Sequence, residues 1–151
     1  MPVNILKRTQ IDEWGKLRRA LWPEVAFDQH RREMTDILSD PEFNAVFVST
    51  GRNRKLNGFI EVSMRLTAEG CRSSPIGYLE GWFVAPEVRK KGIGGALLAR
   101  AEAWAASKGC KEIASDTEVE NALSRVVHAQ LGYEEVSRLA HFHKELRHTP
   151  S

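Results

Sequence analysis

Apolar residues recur at two spacings along the chain, and each spacing predicts one kind of element. In a first predicted helix, which Thr9 caps and Pro23 ends, they recur every three or four positions, at Ile11, Trp14, Leu17 and Leu21. A second helix, which Asp28 caps, is predicted from Met34, Ile37 and Leu38. The spacing then becomes two, which predicts strands Phe43–Thr50 and Gly58–Leu66 around a polar turn.

The rest of the chain predicts alternating strands and helices. The predicted elements are strand Ile76–Val84, helix Ile93–Ser107, strand Glu112–Ser115, helix Asn121–Leu131 and strands Glu134–Leu139 and His141–Leu146. A hairpin followed by such units predicts an α/β fold, in which a central mixed and twisted sheet has helices on both faces.

Length, composition and charge restrict the class of protein. With 151 residues, 42% of them hydrophobic and 28% charged, residues 1–151 are predicted to form a single globular domain. The net charge of +2 is too small to indicate nucleic-acid binding, and no apolar run is long enough to span a membrane. Cys71 and Cys110 lack the spacing of a ligand pair, which favours free thiols and a cytoplasmic location over a disulfide.

The stretch VRKKGIGGALLARAEAW gathers cations and glycines at the start of a helix. Leu97 stands where a dinucleotide fingerprint needs a small residue, and the GxxxxGK[ST] pattern is absent. First-turn amides lack intrahelical partners and lie at the positive end of the helix dipole, so a diphosphate fits them, although a solvated loop is the alternative. The predicted anion-binding residues are Arg89, Lys90, Lys91, Gly92, Ile93, Gly94 and Gly95.

The strand YLEGWFVAP before this loop carries an acid and a glycine in its interior. Gly81 predicts a bulge or a close approach of another backbone. The backbone of Trp82, Phe83 and Val84 is then predicted to hold the slender arm of a ligand whose anionic end lies on the loop. Glu80 lies beside the glycine in an otherwise apolar run, where an unpaired carboxylate would be costly to bury.

A strand, a bulge, a loop and a helix follow one another in the segment YLEGWFVAPEVRKKGIGGALLARAEAW. This order resembles motif A of the GCN5-related N-acetyltransferases. The blocks LRRALWP, SSPIGYLEGWFV, ASDTEVEN and VVHAQLGYEE together resemble the aminoglycoside 6′-N-acetyltransferases of that superfamily. The resemblance implies acetyl-CoA as co-substrate, with its diphosphate on the loop and its pantetheine arm along the strand. It also implies a homodimer, and transfer of the acetyl group to an aminoglycoside amine, which confers antibiotic resistance.

Individual site residues follow from the same resemblance. Glu80 matches a glutamate that contacts the acceptor amines, so it is a candidate general base, and a solvent-facing strand residue is the alternative. Trp22 and Asp116 match residues that line the acceptor pocket, and a core residue is the alternative for Trp22. Asn121 matches the residue that meets the acetyl-CoA arm, and an ordinary helix N-cap is the alternative. His128 lies where many members carry a tyrosine that protonates the thiolate, so it is a candidate general acid, and a space-filling histidine is equally compatible with the pattern.

The acceptor is predicted less directly than the donor. Glu118 and Glu120 extend the acidic set formed by Glu80 and Asp116, which favours a polycation. Leu66-Thr67-Ala68 replaces a loop with a tyrosine in related enzymes, and Ser137 replaces a further acid. Another small polyamine, a protein amine, or a non-catalytic acyl-CoA-binding module are the alternatives. No metal is predicted, because no Cys or acid completes a set with His141 and His143.

Overall fold

The chain folds into a sheet with helices packed against it, followed by a shorter helical segment. The computed structural model describes residues 2–147. Its elements are β1 Val3–Ile5, α1 Ile11–Leu21, α2 Phe27–Ser39, β2 Asn44–Thr50, β3 Leu56–Arg65, β4 Ile76–Val84, α3 Ile93–Ser107, β5 Ile113–Ser115 and α4 Ala122–Gln130. Residues up to Asp116 form one compact unit, and those from Thr117 onward form a second.

The five strands lie in one mixed sheet in the order β1-β2-β3-β4-β5. Strands β1 to β4 pair antiparallel with their neighbours. A short turn joins β2 to β3 and a loop joins β3 to β4, whereas α1 and α2 lie between β1 and β2. Strand β5 pairs with β4 in parallel, since α3 carries the chain back to the other end of the sheet. The mixed sheet predicted from the sequence is therefore confirmed.

Helices cover both faces of this sheet, which also confirms the prediction. Helices α1 and α2 bury a core on one face, made of Trp14, Leu17, Met34, Val46, Val48, Leu56 and Phe59. Helix α3 packs on the opposite face. A Cβ added at Gly58 would lie 3.2 Å from the Leu97 side chain, and one added at Gly77 would lie 2.8 Å from that of Ala105. These two glycines let α3 approach the sheet closely.

Three details differ at the N-terminal end. Thr9 does not cap α1 but lies in a 3-10 turn, Arg8–Gln10, where the Lys7 amide donates to the Gln10 side chain at 2.8 Å. Helix α2 begins at Phe27, so Asp28 lies in its first turn and interacts with the helix dipole instead of capping it. Strand β1 was not predicted, because three residues are too few to display a period.

The two C-terminal strands were predicted wrongly. Residues 131–147 contain neither helix nor strand, and their large apolar side chains are exposed, with Leu139 at 73% and Phe142 at 94%. An alternating pattern gives a strand two faces but does not provide the neighbouring strand that its backbone must pair with. In the described part of the second unit there is no strand to provide that pairing.

Both cysteines are free thiols, as predicted. Cys71 lies in the loop before β4, and Cys110 is buried between α3 and β5. Burial raises the pKa of both thiols, which disfavours the thiolate that a nucleophile would need. Among the described residues, no helix is long and apolar enough to cross a membrane.

Candidate active site

A β-bulge in β4 shapes the centre of the first unit. Glu61 of β3 lies opposite Gly81, but the next pair along is Val62 and Leu79, so Glu80 has no partner in the register. The bulge turns Glu80 toward the sheet face that α1 and α2 cover, the face on which Gly81 meets Trp22. The bulge predicted at this glycine is confirmed.

Three donors converge on the Glu80 carboxylate. The Ser63 hydroxyl donates to it at 2.5 Å, and Arg65 donates through Nε at 2.9 Å and through Nη2 at 2.6 Å. Ser63 and Arg65 are alternate residues of β3, so both point toward the same face. Because these are charge-assisted bonds and one partner is bidentate, they fix the orientation of a side chain that remains 32% exposed.

A second carboxylate is held beside the first. Asp116, which follows β5, accepts a hydrogen bond from the hydroxyl of Tyr78 in β4. The Arg65 guanidinium carbon lies 3.5 Å from the centroid of the Tyr78 ring. Desolvation, together with the hydrogen bond to Asp116 and its charge, raises the pKa of Tyr78 to about 12, so the hydroxyl keeps its proton near neutral pH. Arg65 therefore touches both Glu80 and the residue that holds Asp116.

A buried ion pair lies beneath these groups. Arg18 of α1 and Glu61 of β3 are only 2% and 3% exposed, and Arg18 Nη1 lies 2.6 and 2.5 Å from the two Glu61 oxygens. Trp14 Nε1 donates to Glu61 at 3.1 Å, and Arg18 Nε donates to His30 at 3.3 Å. His30 Nε2 in turn lies 3.1 Å from the carbonyl of Trp22. This network connects the middle of the sheet to the end of α1.

Opposing effects act on the Glu61 carboxyl. Its burial raises the pKa of Glu61, whereas the charge and hydrogen bonds of Arg18 and the indole of Trp14 lower it. Glu33, at 3.4 Å from Arg18 Nη2, adds a second carboxylate to the same guanidinium. The pair is held by geometry that satisfies every charged atom of Glu61, and removing either partner exposes a large desolvation cost.

Both ion pairs, Arg65 with Glu80 and Arg18 with Glu61, line a groove of about 600 Å³ on the face of α1 and α2. We call it the acidic groove; its lining residues are Arg18, Trp22, Val25, Glu33, Asp36, Ile37, Asn44, Glu61, Ser63, Met64, Arg65 and Glu80. The lining includes four carboxylates and two guanidinium groups, so acids outnumber bases. Such a groove attracts cations.

Trp22 lies directly against the bulge. A Cβ added at Gly81 would lie 2.5 Å from Trp22 Cη2, closer than any real contact, so only glycine fits there. Arg18 stacks on the indole at 4.8 Å, and the Phe59 ring meets it edge-on at 6.3 Å. Trp22 is thus packed against the core and also lines the acidic groove, so the two interpretations of this residue are compatible.

Gly81→Ala is expected to lower the free energy of unfolding by about 1–3 kcal/mol, because the new methyl group must displace the Trp22 ring. Equilibrium denaturation in urea measures the change. Gly95→Ala is the matched control, since nothing lies within 4 Å of a Cβ at that position. Unchanged stability of Gly81→Ala would show that Trp22 is not fixed by the bulge.

The glycine-rich loop opens α3 as predicted. Gly92 is the residue before the helix, with φ of +82°, and Lys90 has φ of +65°. Cβ atoms at Gly92 and Gly95 would have no atom within 4 Å, so the first turn presents bare backbone to its surroundings. The N–H groups of this turn have no acceptor within the helix and lie at its positive end.

Arg89 is held against the end of β4. Its Nε donates to the carbonyl of Val84 at 2.9 Å, and its guanidinium lies 5.8 Å from the centre of the Phe83 ring. The β4–β5 ladder stops at Leu79 and Ser115, whereas β4 continues to Val84 in contact with β3. Strands β4 and β5 are therefore no longer paired where β4 approaches the glycine-rich loop. This is the part of β4 along which the sequence predicts the pantetheine arm of acetyl-CoA.

The remaining predicted residues lie in the second unit. Asn121 caps α4, since its side-chain oxygen accepts from the Ser124 amide at 3.1 Å. The N-cap interpretation is thus confirmed. His128 Nδ1 lies 2.7 Å from the Ser124 carbonyl, so this nitrogen carries a proton. Its ring packs edge-on against Tyr133, with 5.7 Å between the centroids. The roles of Asn121 and His128 toward acetyl-CoA remain predictions.

The chain belongs to the Acetyltransferase (GNAT) family, which it matches over residues 11–133. It is 38% identical over 145 residues to the aminoglycoside N(6′)-acetyltransferase type 1 of Serratia marcescens, covering 95% of this chain and 99% of that protein. Its relative of the same name in Stenotrophomonas maltophilia is 40% identical over 134 residues, covering 88% and 86% of the two chains. The structure of AAC(6′)-Iy in complex with the bisubstrate analogue CoA-S-monomethyl-acetylneamine superposes with a TM-score of 0.88 at 36% identity, covering 96% of this chain and 98% of that one.

Four residues of the site were not identified from the sequence. Arg65 and Tyr78 appeared only as members of strands, and Arg18 and Glu61 were not singled out. The two buried charges did leave a signal, because Arg18 lies four residues from both Trp14 and Trp22 on the apolar side of a helix and Glu61 interrupts an apolar strand. Because an unpaired buried charge is costly, two opposite charges on faces that must be buried indicate that the two side chains form an ion pair.

Proposed function

We propose that this acetyltransferase moves the acetyl group of acetyl-CoA to the 6′-amine of an aminoglycoside, which would confer resistance to the antibiotic. One observation carries the proposal: the bulge in β4 directs Glu80 into the acidic groove on the strand that leads into the glycine-rich start of α3. A basic group for the acceptor amine and an anion-binding turn for the donor are thus on one continuous segment. The relatives named above, which align with 88% to 96% of this chain, support the choice of acceptor.

The donor fits the first turn of α3. The bare backbone at Gly92 and Gly95 leaves room for a bulky diphosphate against the N–H groups of the turn, and Lys90 and Lys91 add positive charge. The pantetheine arm is proposed to lie along β4 at Trp82, Phe83 and Val84, where β5 has already diverged. Backbone N–H groups there would polarise the acetyl carbonyl.

Gly95→Ala tests this placement. The substitution should leave α3 folded and can stabilise it by up to about 1 kcal/mol, because alanine has the higher helix propensity. A methyl group against the diphosphate should weaken the binding of coenzyme A about tenfold or more, as overpacked contacts do. Isothermal titration calorimetry measures the affinity. Ala99→Gly, at an exposed position of α3, is the control that weakens the helix without touching the loop. Wild-type affinity in Gly95→Ala would contradict the placement.

On the acceptor side, Glu80 is proposed to take a proton from the ammonium group, directly or through water, so that the neutral amine can attack the thioester. Ser63 and Arg65 hold its carboxylate in place for this step. Trp22 and Asp116 are proposed to bind the rest of the polycationic acceptor, with the acids of the groove attracting it.

His128 is proposed to return a proton to the leaving thiolate. Its Nδ1–H donates to the Ser124 carbonyl, which fixes the ring and makes Nε2 the nitrogen that would carry the transferable proton. Asn121 is proposed to meet the acetyl-CoA arm through its amide group while its oxygen caps α4.

We further propose that residues 1–151 act as one domain and work as a cytoplasmic homodimer. The family match runs from residue 11 to residue 133 and so crosses both compact units, which supports a single domain. The exposed apolar residues Val136, Leu139 and Phe142 support burial of this segment against a second copy. Sedimentation equilibrium distinguishes the monomer from the dimer.

Thiol release from acetyl-CoA tests the function. The acceptors are aminoglycosides with and without a 6′-amine, simple polyamines and lysine peptides. Release with the 6′-amino compounds alone is the expected result. Release with peptides alone would overturn the proposal, and binding of coenzyme A with no release on any acceptor would indicate a regulatory module instead.

A further inference from the structure

Two carboxylates of the acceptor site, Glu80 and Asp116, are joined by two side chains that contact each other. Glu80 lies in the bulge of β4, and Asp116 follows β5, so the backbone alone does not fix how the two side chains lie. Arg65 and Tyr78 connect them. Arg65 donates hydrogen bonds to both oxygens of Glu80 and stacks on the Tyr78 ring. The Tyr78 hydroxyl in turn donates to Asp116.

We infer that Arg65 and Tyr78 are positioning residues that set the separation of Glu80 and Asp116 and thereby select acceptors carrying two ammonium groups at a matching separation. This inference rests on the proposed function, in which Glu80 receives the reacting amine. The second ammonium group of the acceptor would then lie at Asp116. An acceptor with one amine uses Glu80 alone and gains nothing from the arrangement.

Several contacts favour a geometric role over simple charge balance. The Arg65 guanidinium donates through two nitrogen atoms to the two oxygens of the Glu80 carboxylate. It also lies over the Tyr78 ring, with 3.5 Å between the guanidinium carbon and the ring centroid. Lysine can do neither, although it carries the same charge. Tyr78 is buried, with 8% of its surface exposed, so its ring has little freedom to follow a displaced Asp116.

The test compares two acceptors across four variants. The acceptors are an aminoglycoside with several amines and methyl 6-amino-6-deoxyglucoside, which has one. Tyr78→Phe removes only the hydrogen bond to Asp116, and Arg65→Lys keeps the charge but loses the fork and the stacking. Each is expected to lower the ratio of kcat/KM for the aminoglycoside over the monoamine about tenfold, which is the scale of one hydrogen bond to a charged group. The double variant should lower it no further, because the two residues act as one unit.

Arg52→Lys, in the exposed turn after β2, is the control and should keep the wild-type ratio. An unchanged ratio in Tyr78→Phe would overturn the inference. So would a wild-type ratio in Arg65→Lys, or effects of the two single variants that multiply in the double variant. Calorimetric binding of the same two amines provides the ratio without turnover. Absence of acetylation by the wild-type protein would therefore reject the proposed function alone, while the binding ratios would still decide the role of Arg65 and Tyr78.

Discussion

Replacing Arg18 with methionine is expected to lower the free energy of unfolding by about 3–5 kcal/mol. The substitution keeps a long side chain but leaves Glu61 buried without its guanidinium partner, at 3% exposure. The desolvation that raises the pKa of Glu61 would then be opposed only by Trp14. His30 would lose its hydrogen bond from Arg18 Nε, so the support of Trp22 would weaken as well. Urea denaturation monitored by tryptophan fluorescence measures the loss.

Two further variants separate the buried pair from ordinary surface charge. Lys16→Met, on the same helix, removes an ion pair with Glu13 in which the lysine is 62% exposed, and should change stability by no more than about 1 kcal/mol. Arg18→Met combined with Glu61→Leu removes both buried charges and should recover most of the loss. A loss in Arg18→Met no larger than that in Lys16→Met would disprove the importance of the buried pair.

Replacing Glu80 with glutamine is expected to lower kcat about 10²–10⁴-fold, which is the usual contribution of a general base. The amide is nearly isosteric and still offers an oxygen to Ser63 and Arg65, so the fold of the groove should persist. The affinity for acetyl-CoA should stay close to that of the wild type, because the donor is proposed to bind β4 beyond Gly81 and the start of α3. Steady-state thiol release with an aminoglycoside measures kcat, and calorimetry with coenzyme A measures donor affinity.

Glu69→Gln, in the exposed loop between β3 and β4, is the matched control and should leave kcat unchanged. Glu80→Gln with wild-type rates at every pH would exclude Glu80 as the base. A parallel loss of donor affinity would instead indicate that the substitution disturbs the whole of β4.

Much of the proposed donor half of the site could be predicted from the sequence, because the residues that shape it are close together in the chain. A glycine and an acid inside one strand predict the bulge at Gly81, and consecutive glycines before an apolar run predict the bare first turn of α3. Both features arise within a few residues of backbone, whose conformation the nearby sequence controls. The same reasoning failed for residues 134–146, because a strand also needs a partner that its own sequence does not contain.

The sequence by itself determined the helices and strands from α1 to α4, the bulge and the bare first turn of α3, because each depends on neighbours along the chain. Only the tertiary structure decided which side chains meet. Arg18 reaches Glu61 across 43 residues, and Tyr78 reaches Asp116 across 38. Such pairs form because the sheet register and the packing of α1 bring distant charges into one desolvated place, where each stabilises the other. The proposed acceptor half of the site consists of such long-range contacts.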